Sequence, residues 1–237
     1  MKWKILDTGV GDAEQNMAID VALLNEQAFS SQPLLHLYEW KGPSATYGYF
    51  LNPDHHLNPK SVQKHQLQLA RRPTGGGIIF HLWDFAFSVL IPAAHQGFSL
   101  NTLDNYAYVN GIAMRAIEAF SSDLKPVLLG DEAVCKSRAC TNFCMAQPTK
   151  FDIVIDGFKV GGAAQRRTKH GLLHQGTIAL GLPSDHYLNE MMLSCDIVPA
   201  MQQNSQCLLG KECTSKQLQE ARNCFKALLI QTFQTFL

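Results

Sequence analysis

The stretch Arg71-Arg72-Pro73-Thr74-Gly75-Gly76-Gly77-Ile78-Ile79-Phe80-His81 joins two arginines to three consecutive glycines and an apolar, β-branched pair. Glycines carry no side chains, so the backbone N–H groups of this loop can approach a ligand closely. Arg71 and Arg72 can hold a phosphate or carboxylate by forked hydrogen bonds, or simply brace the loop. The stretch predicts a backbone cradle for an anionic or carbonyl-bearing group, with a plain glycine-rich hairpin as an equal alternative.

The stretch resembles the R-R-x-[ST]-G-G-G-x-V-x-H signature of the lipoate–protein ligase A family, which includes octanoyltransferases and is related to biotin ligases. Three further blocks resemble family motifs in the family's order, so the resemblance covers most of the chain. These blocks are Asn16-Met17-Ala18-Ile19-Asp20, residues 151–166 (FDIVIDGFKVGGAAQR) and His174-Gln175-Gly176-Thr177-Ile178. The substrate-binding residues that the resemblance implies are Arg71, Arg72, Thr74, Gly75, Gly76, Gly77, Ile78, His81, Asp152, Gly162, Ala163, His174 and Gly176.

The order of predicted elements indicates an α+β fold, with a mixed or antiparallel β-sheet and helices outside it. Leu34 to Trp40 alternates like a strand, and Asn101 to Phe120 has the broad apolar face of a long helix. Asp156-Gly157 predicts a tight hairpin turn, and residues 130–147 are expected to form a long loop. We expect one catalytic domain over residues 1–237 that resembles the biotin/lipoate ligase catalytic domain, without an accessory C-terminal domain.

Charge and hydropathy exclude several classes of partner. Twenty basic residues balance twenty acidic ones, so the chain as a whole offers no field for nucleic acid. The apolar runs are strand-sized, and the first residues lead into no secretion signal. We therefore expect a soluble, cytoplasmic protein that acts without a membrane.

The cysteines predict free thiols. Seven is an odd number, and no secretion signal accompanies them, so a disulfide framework is disfavoured. Cys135, Cys140 and Cys144 lie five and four residues apart, but no second pair completes the pattern of a zinc site. No metal site is expected.

Lys159 follows the Asp156-Gly157 turn in the middle of a predicted strand. Taken alone, such a lysine is typical of the solvent-facing side of an edge strand. In the family that the chain resembles, the matching lysine contacts the activated acyl carbonyl or its leaving group. A fixed cation that faces developing negative charge is an effective electrostatic catalyst, so the resemblance implies a catalytic role for Lys159.

Cys144 separates two mechanisms. Ligases of the family activate lipoate with ATP and magnesium and hold the acyl-adenylate, whereas octanoyltransferases carry the acyl group on their own cysteine. The segment 144–152 (CMAQPTKFD) resembles the C-F-x-x-P-S-x-[YF]-[ED] stretch of one octanoyltransferase branch, with Met145 in place of its phenylalanine. The resemblance implies that Cys144 is the nucleophile, and a lysine beside it would favour the thiolate.

Other residues favour the ligase alternative or a different class. Gly77 stands where that octanoyltransferase branch commonly has arginine, which leaves space for a nucleotide phosphate. Against this, Phe151 replaces the asparagine of the ligases. A catalytically degenerate protein that only binds lipoyl domains is a third alternative, disfavoured by the intact glycine loop and Lys159. A biotin ligase is disfavoured because its nucleotide loop is absent.

The implied substrates are an octanoyl or lipoyl group and an apo lipoyl domain of a 2-oxoacid dehydrogenase or of glycine-cleavage H protein. Octanoyl-acyl carrier protein is the implied donor of the octanoyltransferase mechanism. His81 and His174 are expected to shape the acyl site; a general-base role for them is not established. The sequence pattern places the acyl chain in an apolar tunnel lined by Tyr47, Phe50, Ile79 and Phe87.

Overall fold

The structure is a computed structural model that describes residues 2–27, 30–131, 140–210 and 213–236. Cys135 and much of the predicted loop at 130–147 lie outside the described residues. The described residues contain ten strands, which are β1 (Lys4–Gly11), β2 (Leu34–Trp40), β3 (Ser44–Tyr47), β4 (Gln68–Arg71), β5 (Ile79–Phe80), β6 (Asp84–Pro92), β7 (Val127–Leu128), β8 (Ile153–Ile155), β9 (Phe158–Thr168) and β10 (Gly171–Ala179). They form a seven-stranded sheet in the order β1-β2-β6-β10-β9-β8-β7 and a three-stranded sheet in the order β4-β3-β5.

The described part of the chain also contains six α-helices, and most of them begin at a side-chain cap. They are α1 (Ala13–Glu26), α2 (Pro59–Lys64), α3 (Thr102–Phe120), α4 (Asp185–Met191), α5 (Ile197–Asn204) and α6 (Ser215–Thr235). Helix α1 starts with a capping box between Asp12 and Gln15, and α6 with one between Thr214 and Gln217. Such reciprocal hydrogen bonds satisfy N–H groups that the first helical turn leaves unpaired.

The large sheet is mostly antiparallel, and its centre is the long pairing of β10 with β6 and β9. Strands β1 and β2 pair in parallel, so the sheet is mixed. These observations confirm the predicted α+β class. The hairpin between β8 and β9 is also confirmed, because Asp156 and Gly157 adopt positive φ angles of 52° and 84°.

Helices α3 and α6 pack against one face of the large sheet and form the main core. Phe225, Leu229 and Phe233 of α6 are fully buried there beside Ile112 and Ile117 of α3. A second cluster lies between the small sheet and helices α4 and α5, and includes Phe143 and Met191. Members of the second cluster and of a third, smaller cluster around Met17 line the candidate site. Within the described residues, no helix combines the length and apolar character needed to cross a membrane.

Candidate active site

A cavity of about 280 Å³ opens where the two sheets meet. Its polar wall contains Arg72, Cys144 and Lys159, together with the glycines of the loop between β4 and β5. The apolar side chains of the cavity are Met17, Tyr38, Trp40, Ile79, Ala86, Tyr106, Phe143 and Met145. A narrow apolar cavity continues from Ile79, Phe143 and Met145 toward α5. The cavity thus offers a polar end for chemistry and an apolar side for an aliphatic chain.

Arg72 organises the glycine loop from inside. Its buried guanidinium donates to the backbone carbonyls of Thr46 at 2.9 Å, Gly75 at 3.0 Å and Gly77 at 2.8 Å. A further N–H donates to the Thr46 hydroxyl at 3.0 Å. This fixes both the loop and the position of the positive charge. Arg72 therefore braces the loop, one of the two roles considered for it, and presents its charge to the cavity.

The Cys144 segment lies directly against the glycine loop. Ile78 donates its N–H to the carbonyl of Asn142 at 2.7 Å, and Cys144 donates its N–H to the carbonyl of Ile78 at 3.1 Å. A Cβ added at Gly77 would come within 2.3 Å of the Asn142 backbone and 2.8 Å of the Phe143 nitrogen. Only glycine allows this approach. The side of Gly77 on which a Cβ would project is therefore filled by the backbone at Asn142 and Phe143, and this side of the loop leaves no space for a nucleotide phosphate.

The contact between the glycine loop and the Cys144 segment brings the Cys144 thiol close to the Arg72 guanidinium. Cys144 is partly exposed in the cavity wall, and Arg72 faces it. Burial lowers the pKa of Arg72, whereas interaction with Cys144 acts in the opposite direction. A thiolate is the form of cysteine that attacks a carbonyl, and a nearby cation favours that form. The arrangement suits a nucleophilic thiol.

Lys159 is buried, with 4% of its surface exposed, and its ammonium lies beside the Cys144 backbone. The Nζ forms an ion pair with Asp152 Oδ2 at 2.7 Å and donates to the carbonyl of Cys144, also at 2.7 Å. Thr149 holds the same carboxylate oxygen through its N–H and hydroxyl. Gly162 makes room for the pair, because a Cβ there would lie 2.7 Å from both Asp152 Oδ1 and Lys159 Cε. The solvent-facing alternative for Lys159 is wrong.

Phe151 sits in the left-handed region with φ at 66°. Asparagine adopts this conformation more readily than phenylalanine does. The backbone is held there by hydrogen bonds on both sides, from Phe151 N–H to the carbonyl of Leu129 and from Asn110 to the carbonyl of Phe151. These bonds orient the turn that delivers Asp152 to Lys159.

A buried polar network, which the sequence analysis did not predict, holds Thr74 and with it the glycine loop. Thr74 donates to Gln175 at 2.7 Å, and Gln175 donates to the fully buried carboxylate of Asp20 at 2.6 Å. Asp20 also accepts from Ser88 and from His36 Nδ1. Asp20 and Gln175 both lie in segments that resemble family motifs, which is the only feature of the sequence that points to them.

The two histidines have different surroundings. His81 lines the cavity, but both ring nitrogens are engaged, Nδ1 with Asp84 at 2.7 Å and Nε2 with Thr46 at 2.8 Å. His174 is fully buried behind the cavity wall, where Gln165 donates to its Nδ1 at 2.8 Å. Burial lowers the pKa of His174 to about 3, so the ring is neutral at physiological pH.

The structure brings most of the predicted site residues to the cavity. The residues that line it are Arg72, Gly75, Gly76, Gly77, His81, Cys144, Lys159, Gly162, Ala163 and Gly176. Asp152 and Thr74 do not line the cavity but contact lining residues, Lys159 and Gln175 respectively. Ile78 faces the neighbouring apolar cavity. His174 is buried and does not line the cavity. Arg71 is exposed and stacks on Tyr49 from 5.6 Å.

The predicted acyl tunnel is wrong in its composition. Phe50 is 93% exposed, and only Ile79 of the four proposed residues belongs to the cavity. Phe87 is buried in the main core against Gly176, and Tyr47 packs on the second cluster. Alternating side chains on a strand face opposite sides, and the pattern of one strand does not reveal which side meets the cavity.

The described residues contain no group of three or more His, Cys, Asp or Glu side chains arranged to ligate a metal ion. Cys140 and Cys144 fall within these residues, and Cys135 does not.

Residues 12–215 match the family model of the lipoyl protein ligase A/B catalytic domain. Among curated relatives, the octanoyltransferase LipM of Halalkalibacterium halodurans is 30% identical over 189 residues, which cover 77% of this chain and 67% of that protein. The octanoyltransferase LipM of Bacillus subtilis is 27% identical over 232 residues, covering 94% of this chain and 84% of that protein.

A solved bipartite lipoate protein ligase from Thermoplasma acidophilum, described together with its E2 lipoyl domain, has a similar fold. The similarity has a TM-score of 0.69 at 17% identity, and it covers 99% of this chain and 93% of that chain.

The contact at Gly77 generates a stability prediction. Gly77→Ala forces a methyl group against backbone, so we expect it to lower the free energy of unfolding by about 1–3 kcal/mol, the usual cost of overpacking. Gly75→Ala is the matched control, because a Cβ at Gly75 meets nothing within 4 Å. Urea unfolding of both variants provides the measurement. Equal stability of the two would contradict the close packing of the Cys144 segment on Gly77.

The pKa of His174 predicts a pH dependence of stability. Above about pH 6.5 the imidazole is neutral in both states, and its contribution to stability is fully present. As the pH falls from 6.5 toward about 3, the unfolded chain takes up a proton that the folded chain does not. The free energy of unfolding should then fall by about 1.4 kcal/mol per pH unit from this group.

His174→Gln should remove that part of the slope between pH 6 and 4, as measured by urea unfolding at each pH. His170→Gln, at an exposed position, should leave the slope unchanged. If the wild type and His174→Gln have the same slope, His174 is not a buried neutral histidine.

Proposed function

This chain belongs to the lipoyl protein ligase A/B catalytic domain family, and we propose that it transfers an octanoyl group to a lysine of lipoyl domains through a thioester on Cys144. The curated octanoyltransferases to which the chain is similar support the reaction. The single observation that carries the covalent mechanism is the position of Cys144, whose thiol lies in the cavity wall opposite the Arg72 guanidinium.

The first half-reaction loads the enzyme. The Cys144 thiolate attacks the carbonyl carbon of an acyl thioester, and octanoyl-acyl carrier protein is the donor that we propose. A bond forms between Cys144 Sγ and the carbonyl carbon, the bond to the donor sulfur breaks, and the donor leaves as a thiol after taking up a proton. Arg72 favours the attacking thiolate electrostatically.

The apolar side of the cavity accommodates the acyl chain during this step. Met17, Ile79 and Tyr106 line that side, so an aliphatic chain attached to Cys144 would be removed from water. Burial raises the pKa of Tyr106 to about 12, so its hydroxyl is neutral and adds no charge beside the chain.

The second half-reaction transfers the chain to the acceptor. The neutral amine of an acceptor lysine attacks the thioester carbonyl, the carbon–sulfur bond to Cys144 breaks, and an amide forms. The amine proton leaves with the Cys144 sulfur or passes to water. Both half-reactions develop negative charge on the carbonyl oxygen, which a fixed cation stabilises.

Lys159 is the residue proposed to stabilise that charge. Its two observed contacts, with Asp152 and with the carbonyl of Cys144, use two of the three ammonium N–H donors. The third remains for substrate. Asp152 holds the ammonium at the site and supplies the partner that a buried charge requires.

An ATP-dependent lipoate–protein ligase, with ATP and magnesium as co-substrates, is the second candidate because the solved ligase from Thermoplasma acidophilum shares the fold. The packing at Gly77 weighs against it, since the backbone at Asn142 and Phe143 fills the side of this glycine on which a Cβ would project. A non-catalytic lipoyl-domain binder has no need of a thiol that faces a buried guanidinium in a cavity.

The nucleophile generates the first test. The wild type should gain one octanoyl mass from octanoyl-acyl carrier protein without ATP, and hydroxylamine should release it as a thioester. Cys144→Ser should not form this adduct, because a serine alkoxide is hardly populated at neutral pH. Intact-mass analysis and peptide mapping give the measurement, with exposed Cys195 and Cys224 as internal controls. An adduct that requires lipoate, ATP and magnesium would establish the ligase instead.

The role of Lys159 generates the second test. Removing Lys159 alone would leave the Asp152 carboxylate buried without its partner, which costs about 3–5 kcal/mol of stability. The informative variant is therefore Lys159→Met combined with Asp152→Asn, compared with Asp152→Asn alone. The double variant should transfer octanoyl groups about 10²–10³-fold more slowly than the single variant. Equal rates in the two folded variants would exclude Lys159 from catalysis.

A further inference from the structure

Two side chains, Thr46 and His81, connect the buried carboxylate of Asp84 to Arg72, the cation that faces Cys144. Arg72 donates from Nη1 to the Thr46 hydroxyl at 3.0 Å, and that hydroxyl lies 2.8 Å from His81 Nε2. His81 Nδ1 lies 2.7 Å from Asp84 Oδ2. Thr177 donates to the same carboxylate oxygen at 2.6 Å. All of the connecting groups are buried.

The chemistry of the groups fixes the direction of each hydrogen bond when the ring is neutral. A carboxylate only accepts, so His81 Nδ1 carries the proton that points at Asp84, and Nε2 is left as an acceptor. The guanidinium only donates, so Thr46 accepts from Arg72 with a lone pair. The hydroxyl proton of Thr46 must then point at His81 Nε2. Every donor in the series Arg72, Thr46, His81 and Asp84 points toward the carboxylate.

The ring of His81 and the backbone next to it are both held in place by further contacts. Its ring stacks on Trp40 at 4.2 Å with 19° between the planes. Arg222 donates to the backbone carbonyls of Leu82 and Asp84, which fixes the short turn between the two partners of the histidine–aspartate pair. The stacking fixes the plane of the ring, and both ring nitrogens have partners.

We infer that His81 is a positioning residue, which orients the Thr46 hydroxyl so that its lone pair faces Arg72 and the guanidinium is held against Cys144. The inference rests on the proposed role of Cys144 as nucleophile. It assigns His81 no proton transfer with the substrate. Without His81 the Thr46 hydroxyl can rotate and present its proton to the cation, which weakens one of the contacts that hold Arg72.

The reactivity of the Cys144 thiol provides a readout that does not require any acyl donor. Only the thiolate is alkylated by iodoacetamide, so the rate reports how strongly the surroundings favour that form. Among the described residues, the ionisable groups recorded near Cys144 are those of Arg72, Tyr106, and Lys159 with its partner Asp152. The variants of the test leave those groups in place.

The experiment measures alkylation of Cys144 by peptide mapping from pH 5 to 9 in His81→Leu, Thr46→Val and the double variant. Each single variant should alkylate about 3- to 10-fold more slowly at pH 7, with the profile moved to higher pH, as expected for a weakened hydrogen bond to a charged group. The double variant should be no slower than the slower single variant, because both changes interrupt the same series.

Thr46→Ser is the matched control, since it keeps the hydroxyl, and its alkylation profile should match that of the wild type. Thr46→Val is nearly isosteric, so the comparison of valine with serine at this position remains decisive if His81→Leu fails to fold. Wild-type alkylation in Thr46→Val would overturn the inference. So would additive effects in the double variant, or normal alkylation in His81→Leu together with slow amide formation, which would make His81 a general base.

Failure of this inference is distinguishable from failure of the proposed function. If the protein accepts no octanoyl group but the variants show the expected alkylation pattern, the positioning role of His81 stands and only the proposed reaction is wrong. If the wild type forms the octanoyl adduct but alkylation is unchanged in Thr46→Val, the proposed reaction stands and only the positioning role of His81 is wrong.

Discussion

The site depends on the close contact between two segments that are far apart in the sequence. The glycine loop between β4 and β5 lies against the backbone at Asn142 and Phe143, and a Cβ at Gly77 would occupy the same space. Because the contact is between backbones, it fixes the position of the Cys144 thiol without relying on flexible side chains. The same loop carries Arg72, whose donors hold the loop carbonyls. One contact therefore sets both the nucleophile and the nearest cation.

The buried charges are each held by an internal partner. Lys159 pairs with Asp152, whereas the guanidinium of Arg72 is held by carbonyls and the Thr46 hydroxyl. Burying a charge is costly unless it is paired and hydrogen-bonded, so these partners are needed for the positive charges to persist in an apolar cavity. The result is a cysteine whose thiol faces Arg72 and whose backbone carbonyl accepts from Lys159, a suitable environment for carrying an acyl group as a thioester and passing it to an amine.

The sequence predicted correctly those elements whose formation depends on neighbouring residues alone. Leu34–Trp40 is a strand over the predicted residues, and the Asp156-Gly157 turn follows from dipeptide chemistry. Helix α5 was missed because Pro199 interrupts a short pattern, and the two residues of β7 are too few to show one. The mixed sheet was predicted from the order of elements.

For the candidate site, the sequence predicted the residues that take part but not their contacts. The motif resemblance identified Lys159 and Cys144, and the structure brings them together. The residue pattern alone assigned Lys159 to solvent, because it does not show that the turn after Thr149 delivers Asp152 to it. Contacts such as that of Gln175 with Asp20 join segments more than a hundred residues apart, so the sequence names the participants and only the fold shows the pairing.

The central claim is that Cys144 carries the acyl group on the reaction pathway, and a single-turnover chase tests it most directly. The octanoylated enzyme would be isolated free of donor and ATP and mixed rapidly with an excess of apo lipoyl domain. The account predicts that the thioester on Cys144 disappears at the rate at which octanoyl amide appears on the domain, and that this rate is at least the steady-state turnover rate. A thioester that persists, or that is lost to water while the domain stays unmodified, would contradict it.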